Sequence, residues 1–166
     1  MKIVIENYSS LWPQKFEAEK AALENLLPAT AVVEHIGSTA VAGLAAKPVI
    51  DIMIGLSDFA QADSLVPSIQ SLGYEYVSEF EAVMPYRRFF RKEDAGVRTH
   101  HIHMVATGSE FWERHLAFRD YLRAHPESAA EYSALKRDLA RREWQDMNDY
   151  AAAKTDFIRD IEARSK

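Results

Sequence analysis

The sequence contains no cysteine, which excludes disulfide bridges and metal sites built from thiolates. It has no Walker loop, no dinucleotide-binding glycine pattern and no Gly-x-Ser-x-Gly nucleophile elbow, so those enzyme classes are not expected. It also lacks an apolar run long enough to span a bilayer and an N-terminal segment typical of a signal peptide. We therefore expect a cytoplasmic protein with no membrane partner.

An excess of positive charge is also missing. The chain has 20 Lys and Arg against 25 Asp and Glu, a formal net charge of −5. Broad nucleic-acid binding through bulk charge is therefore not expected, although a local basic pocket is compatible with this balance. No linker rich in Gly, Ser or Pro and no internal repeat divides the chain, so we expect a single domain over residues 1–166.

The spacing of apolar residues predicts an α/β (α+β) fold, with a sheet part over about residues 1–107 and a helical section over about 108–166. The predicted strands are Ile3–Ile5, Val32–Ile36, Val49–Ile54, Tyr74–Val77 and a hairpin with arms Pro85–Lys92 and Val97–Val105. The predicted helices lie between Ser10 and Pro28, within Phe59–Leu72, and over Ser109–Ala124, Pro126–Arg142 and Met147–Ala163.

A Gly-Ser turn and an aspartate-bearing strand are the most informative features. The strand Val32–Ile36 leads into Gly37 and Ser38, whose backbone N–H groups and hydroxyl suit a phosphate. In the next strand, the alternation of side chains places Asp51 and Met53 on one face. An ionised aspartate there is costly unless it meets a metal ion, a cation or hydrogen-bond donors. A purely structural role, such as pairing with Lys47, stays open.

Three histidines are candidate partners of Asp51. His101 and His103 share one face of their predicted strand, and His35 lies two residues before the Gly-Ser turn. A site formed by His35, Asp51, His101 and His103 would suit Zn²⁺, Mn²⁺ or Fe²⁺ better than Mg²⁺. The alternative is that each histidine is an ordinary hydrogen-bonded residue of the sheet.

Cationic side chains recur at positions predicted to face inward. Each of the three C-terminal helices contributes one or more, including Arg119, Lys136 and Lys154, and the hairpin adds Arg87 and Arg91. The alternative is that long stems cover apolar surface while their charged ends reach water. Repetition of the pattern on three helices favours a cationic pocket that binds phosphate or carboxylate groups.

The stretch Glu34–Thr39 followed by Lys47–Ile54 resembles the signature of the polymerase-β-like nucleotidyltransferases, a Gly-Ser turn before a strand with Asp-x-Asp or Asp-x-Glu. The chain resembles the GrpB family more closely, through its His-Ile-Gly-Ser-Thr-Ala-Val, Gly-Leu-Ala-x-Lys-Pro and Ile-Asp-Ile stretches. Further matches are His101-Ile102-His103, Phe118–Arg123, and Tyr150 with Lys154. The resemblance implies a nucleotidyltransferase-like fold with a mixed, mainly antiparallel sheet and flanking helices.

The function implied by this resemblance is transfer of a nucleoside monophosphate from a nucleoside triphosphate to a small acceptor. Asp51 would be the catalytic residue and would hold a divalent metal, Mg²⁺ or Mn²⁺, with Zn²⁺ as a further choice. The residues expected to bind phosphate are Gly37, Ser38, Thr39, Lys47, Arg87, Arg91, Arg119, Lys136 and Lys154.

Met53 departs from the superfamily pattern, because it stands where the second carboxylate is expected. Two-metal transfer needs paired carboxylates, and a thioether is a poor ligand for Mg²⁺. The alternative function is therefore a non-catalytic nucleotide- or CoA-binding module associated with a metabolic kinase such as dephospho-CoA kinase. A third hypothesis is a metal-dependent hydrolase built on the histidines.

Overall fold

The computed structural model describes residues 3–144 and 146–165, so Met1, Lys2, Gln145 and Lys166 of the predicted domain lie outside the described residues. The strands are β1 Val32–Ile36, β2 Ile50–Leu56, β3 Glu75–Val77, β4 Arg88–Asp94 and β5 Val97–Ala106. The helices are α1 Leu11–Glu24, α2 Ala62–Gln70, α3 Glu110–Ala124, α4 Pro126–Ala140 and α5 Met147–Arg164. Two short 3₁₀ turns cover Ser38–Ala40 and Phe59–Gln61.

The described strands form one sheet in the order β1-β2-β5-β4-β3. Only the β2–β5 pair is parallel, and the other neighbouring pairs are antiparallel. The predicted mixed, mainly antiparallel sheet is therefore confirmed. The β2–β5 pairing sets the site, because it places Asp51 opposite His101 and Met53 opposite His103.

Several predicted boundaries differ from the structure. The predicted strand Ile3–Ile5 is wrong, since the N-terminal segment makes only an isolated antiparallel bridge between Glu6 and Ala46. Pro67 lies inside α2, which starts before it and continues past it. The β4–β5 hairpin closes through a two-residue turn at Ala95 and Gly96, both with positive φ, as expected of a tight hairpin.

The two faces of the sheet have different partners. One face carries the apolar side chains of Ile50, Ile52, Phe90 and Ile102 into a core shared with α1 and α2. The other face carries Asp51, Met53, His101 and His103, and part of it is covered by Phe111 and Trp112 of α3. A polar centre thus sits on the face that the C-terminal helices approach.

The three C-terminal helices have defined starts. Ser109 and Asp146 accept backbone N–H groups through their side chains at the beginnings of α3 and α5, and Pro126 opens α4. Their apolar residues Leu122, Tyr132 and Ile161 pack with Val41 and Leu44 from the loop that follows the Gly-Ser turn. This packing brings the cations of α4 and α5 next to that turn. No helix within the described ranges is long and apolar enough to cross a membrane.

Candidate functional site

Gly37 packs directly against the side chain of Asp51. Gly37 has φ 74° and ψ −173°, a backbone conformation that is essentially restricted to glycine. A Cβ atom at this position would lie 2.8 Å from Oδ2 of Asp51. Both the backbone and the contact therefore require glycine, and the Gly-Ser turn is held directly against the aspartate.

Two imidazoles flank the Asp51 carboxylate. Oδ1 of Asp51 lies 3.3 Å from Nδ1 of His101 and 3.7 Å from Nε2 of His103. Burial acts to raise the pKa of Asp51, but hydrogen bonding and charge from the two histidines outweigh it and hold that pKa well below its usual range. Asp51 is therefore an anion at neutral pH. The structure thus brings together three of the four residues expected at the metal site, Asp51, His101 and His103.

Arg87 reaches the same centre from the segment before β4. Its Nη1 lies 3.3 Å from Nδ1 of His103, and its guanidinium lies 4.9 Å from the centre of the Phe89 ring. Burial lowers the pKa of His103, which favours the neutral imidazole. A contact chain therefore runs from the guanidinium through the imidazole to the Asp51 carboxylate.

The residues at this centre do not fit a two-metal clamp. Met53 is fully buried at the position where the superfamily pattern expects a second carboxylate. Over residues 3–144 and 146–165, no group of three or more His, Asp or Glu side chains is arranged to hold a metal ion. The expected set of His35, Asp51, His101 and His103 is therefore not assembled, although Asp51 alone could face a divalent cation.

His35 lies on the opposite face of the sheet. It pairs with Ile52 in the β1–β2 register, while the neighbouring Ile36 pairs with Asp51. Its ring stacks on Phe16 of α1, and burial lowers its pKa to about 4. The expectation that His35 joins Asp51 as a metal ligand is therefore wrong.

The side chain of Thr39 is also buried and hydrogen-bonded within the protein. Its hydroxyl donates to the carbonyl of Val49 and accepts from Nε2 of His35, at 3.1 and 3.0 Å. This hydroxyl is therefore already used in joining β1 to the start of β2. Ser38 remains at the surface of the neighbouring pocket.

A pocket of about 180 Å³ lies between the Gly-Ser turn and the helices α4 and α5. Lys47, Lys136 and Lys154 line it, and we call it the lysine pocket. The other residues that line it are Ile5, Ser38, Thr39, Ala46, Val49, Asp51, His101 and Tyr150. The predicted cationic pocket is thus assembled from three of the expected residues, next to Asp51.

Several buried polar atoms in this region have no partner among the described residues. They include Nζ of Lys136, the Tyr150 hydroxyl and Nε2 of His101. Lys136 is only 3% exposed, and its ammonium group lies 4.6 Å from the centre of the Tyr132 ring. Lys154 is placed similarly, 4.7 Å from the centre of the Tyr150 ring. An aromatic ring face attracts a cation, but it supplies no hydrogen-bond acceptor.

Burial and mutual repulsion weaken the hold of these lysines on their protons. Burial, with the charges of Lys154 and Lys47, lowers the pKa of Lys136 to about 7. Burial and the charge of Lys47 lower the pKa of Lys154 to about 8, despite the opposing effect of Asp51. The lysine pocket therefore carries cations that a bound anion would stabilise.

Two predicted phosphate-binding arginines are engaged elsewhere. Arg91 makes a bidentate contact with Glu75, at 2.8 and 3.1 Å. Arg119 donates to Glu34, Asp120 and the carbonyl of His35, beside a separate pocket of about 410 Å³. The structure does not bring these two arginines into the lysine pocket.

We expect Arg119→Met to destabilise the protein without changing its affinity for phosphate compounds. Loss of a buried guanidinium that bonds to charged groups should reduce the free energy of unfolding by about 1–3 kcal/mol. Urea unfolding measures this change, and calorimetric titration with pyrophosphate measures affinity. Arg142→Met removes an exposed contact with Asp138 and is the control, with a change within about 0.5 kcal/mol. A fall in pyrophosphate affinity only in the Arg119 variant would contradict the structural assignment.

Similarity to solved structures defines the class of fold. A structure of the Cid1 poly(U) polymerase with MgGTP bound aligns with a TM-score of 0.56 and 13% identity, over 82% of this chain and 45% of that chain. At this identity the similarity concerns the fold alone, which is nucleotidyltransferase-like.

The chain belongs to the GrpB family. A family model described as GrpB protein matches residues 2–164. The crystal structure of the conserved protein GrpB from Enterococcus faecalis aligns with a TM-score of 0.87 and 36% identity, over 98% of this chain and 96% of that one. The expected GrpB family is therefore confirmed, and the expected nucleotidyltransferase-like fold agrees with the similarity to Cid1.

Relatives of different lengths share this region. The UPF0157 protein YqkA of Bacillus subtilis (strain 168) is 37% identical over 166 residues, covering 99% of this chain and 48% of YqkA. A dephospho-CoA kinase of Mycolicibacterium paratuberculosis is 31% identical over 156 residues, covering 80% of this chain and 38% of the kinase. The chain thus spans about half of the first relative and less of the second.

Two features of the site were not predicted from the sequence. Tyr150 is named from the sequence only as a match to the GrpB family and not as a site residue, but its ring lies beside both Lys47 and Lys154. Its position four residues before Lys154 is the signal that could have identified it. The contact of Arg87 with His103 depends on the path of the segment before β4, for which the sequence carries no comparable signal.

Proposed function

We propose that this protein binds a phosphorylated small molecule, of the nucleotide or CoA-like class, with phosphate in the lysine pocket. The observation that carries the proposal is the convergence of Lys47, Lys136 and Lys154 on one pocket beside the Gly-Ser turn. A buried ammonium group without a hydrogen-bond partner is costly, and a phosphate oxygen would satisfy it.

The size of the pocket limits which part of the ligand it can hold. Pockets that enclose drug-sized ligands have volumes of about 300–1,000 Å³, and this one has about 180 Å³. It therefore suits one or two phosphate groups, while the remainder of the ligand lies outside the pocket. Lysine acts as a point charge towards phosphate, so this set recognises charge more than ligand shape.

The ligand class is supported by the comparisons. Cid1, which shares the fold, is a polymerase solved with MgGTP, and a related segment occurs in a dephospho-CoA kinase. The first relation supports a nucleoside triphosphate and the second supports CoA or dephospho-CoA. We propose binding rather than catalysis as the first function, because the buried Met53 stands where the second of two carboxylates is expected.

Nucleotidyl transfer is the second candidate function. It is favoured by one observation, the anionic Asp51 held against the Gly-Ser turn. The test is release of pyrophosphate from a nucleoside triphosphate in the presence of Mg²⁺ or Mn²⁺. Nucleotidyl transfer is established if the wild type releases pyrophosphate and Asp51→Asn does not. Ligand binding without pyrophosphate release would leave the binding module as the function.

We expect pyrophosphate, nucleoside triphosphates or CoA compounds to raise the melting temperature. A ligand at about 100 times its dissociation constant adds about 2.7 kcal/mol of stability. Lys154→Met should weaken binding about tenfold or more, because it removes one of the cations lining the pocket, and a tenfold loss is about 1.4 kcal/mol. Thermal shift and calorimetric titration measure these effects.

The exposed Lys15 provides the matched control, since Lys15→Met makes the same chemical change away from the pocket. Adenosine without phosphate should cause no shift. Equal shifts with adenosine and ATP, or unchanged pyrophosphate affinity in Lys154→Met, would contradict the proposal.

A further inference from the structure

We infer that imidazole N–H groups from His101 and His103 take the place of a metal ion at Asp51, and that Arg87 is the positioning residue that fixes the tautomer of His103. The inference rests on the contacts of the Asp51 centre. It is independent of which ligand occupies the lysine pocket.

The contact between Arg87 and His103 determines which ring nitrogen carries the proton. A guanidinium has N–H donors and no acceptor, so Nδ1 of His103, 3.3 Å from Nη1, must accept. The hydrogen of the neutral ring is then on Nε2, the atom 3.7 Å from Oδ1 of Asp51. His101 presents Nδ1 to the same carboxylate oxygen at 3.3 Å. A carboxylate only accepts, so both rings face it with donor atoms.

In this arrangement His103 cannot act as a metal-binding histidine at Asp51. Such a histidine offers a lone pair to the metal and donates its other N–H to a carboxylate, a carbonyl or water. For His103 to offer Nε2, its Nδ1 would have to carry a hydrogen directed at the guanidinium of Arg87. Two donors would then face each other in a part-buried contact.

The other surroundings of Asp51 reinforce this conclusion. The side chain opposite His103 in the β2–β5 register is the buried Met53, which contributes no negative charge. The guanidinium of Arg87 is held against the Phe89 ring, which limits its freedom to move away from His103. The carboxylate therefore has two imidazole nitrogens of the chain at 3.3 and 3.7 Å, and the N–H on His103 is fixed in place by Arg87.

The direct test is the tautomer of His103 in the intact 166-residue chain. Nitrogen-detected NMR of ¹⁵N-labelled histidine, assigned with a His103→Gln variant, should show the Nε2–H form in the wild type. Arg87→Leu should shift the ring towards a mixture of tautomers, while Arg87→Lys, which keeps a cationic donor, should remain close to the wild type. Arg91→Leu, in the adjoining strand β4, is the control, because the Arg91 guanidinium forms its ion pair with Glu75.

Metal titration supplies a second readout. Zn²⁺ affinity should rise about 10- to 100-fold in Arg87→Leu, which is the size of effect seen when a residue hydrogen-bonded to a metal ligand is changed. The Arg91 and Arg87→Lys variants should bind Zn²⁺ as weakly as the wild type. Pyrophosphate binding in the presence of EDTA should be retained by the wild type, because the carboxylate does not need a metal.

Some results would overturn the inference. An Nδ1–H form of His103 in the wild type would do so, as would Zn²⁺ or Mn²⁺ binding by the wild type that Asp51→Asn and His103→Gln abolish. If Arg87→Leu fails to fold, the wild-type NMR spectrum still decides the tautomer. Failure of pyrophosphate to bind under any condition would count against the lysine pocket and leave the tautomer result unaffected.

Discussion

Replacing Gly37 with alanine should destabilise the protein by more than about 2 kcal/mol and abolish binding of phosphate compounds. The backbone conformation at Gly37 costs other residues about 1–3 kcal/mol, and overpacking adds about 1–3 kcal/mol. The added methyl would be 2.8 Å from Oδ2 of Asp51, so either the turn or the carboxylate must move. Because Ser38 follows directly, movement of the turn also displaces one wall of the lysine pocket.

Gly43→Ala is the matched control for this change. Gly43 also has a positive φ, 83°, but a Cβ atom there would meet nothing within 4 Å. It therefore measures the cost of placing alanine at a positive φ without a clash. Urea unfolding gives the stability of both variants, and calorimetric titration with pyrophosphate gives the affinity. Equal losses of stability and of pyrophosphate affinity in the two variants would contradict the prediction, because the contact with Asp51 would then add nothing to the cost of the positive φ.

The sequence predicted local features of this fold well. Strands β1 and β2 follow from runs of β-branched residues, and α3, α4 and α5 follow from helical spacing between clear boundaries. The sharing of one face by His101 and His103 was predicted because alternation along each strand is fixed by the backbone, whereas their meeting with Asp51 follows from the β2–β5 pairing. These predictions depended on residues close together in the chain.

The differences from the predicted site depend on partners distant in sequence. His35 was assigned by its distance from Gly37, but its face is set by pairing with Ile52 in another strand. Arg119 shares a helical pattern with residues that do face a pocket, yet Glu34, 85 positions away, binds its guanidinium. A lone cation has the same sequence signature whether its partner is a carboxylate of the chain or a ligand. Only the packed structure distinguishes these cases.

The same distinction explains why the lysines, and not the arginines, identify the site. Among the described residues, Arg91 and Arg119 form short ion pairs with carboxylates of the chain. Lys136 has no such partner, and the charged groups that shift its pKa are other cations. A fold that keeps an unpaired buried cation loses stability by doing so, which is typical of residues retained for binding.

We expect Lys136→Met to make the protein more stable while greatly reducing its affinity for phosphate compounds. Methionine fills similar space beside the Tyr132 ring without the cost of burying an unpaired ammonium group. The gain should be on the order of a few kcal/mol near neutral pH, since a pKa lowered from 10.5 to about 7 reflects a charged form strongly disfavoured by folding. Pyrophosphate affinity should fall at least about tenfold, because the most buried cation of the pocket is lost.

The pH dependence of stability makes this prediction specific. Below about pH 7, Lys136 is charged in both the folded and unfolded wild type, so the full cost of burial is present. Between about pH 7 and pH 10.5 the unfolded chain holds more protons, so the stability of the wild type rises with pH. The gain in stability from Lys136→Met should therefore be largest at pH 6 to 7 and shrink towards pH 10.

Urea unfolding across this pH range measures the gain in stability, with Lys15→Met as the exposed control. A variant that is less stable than the wild type at pH 6 to 7, with unchanged pyrophosphate affinity, would show that Lys136 supports the core rather than a ligand.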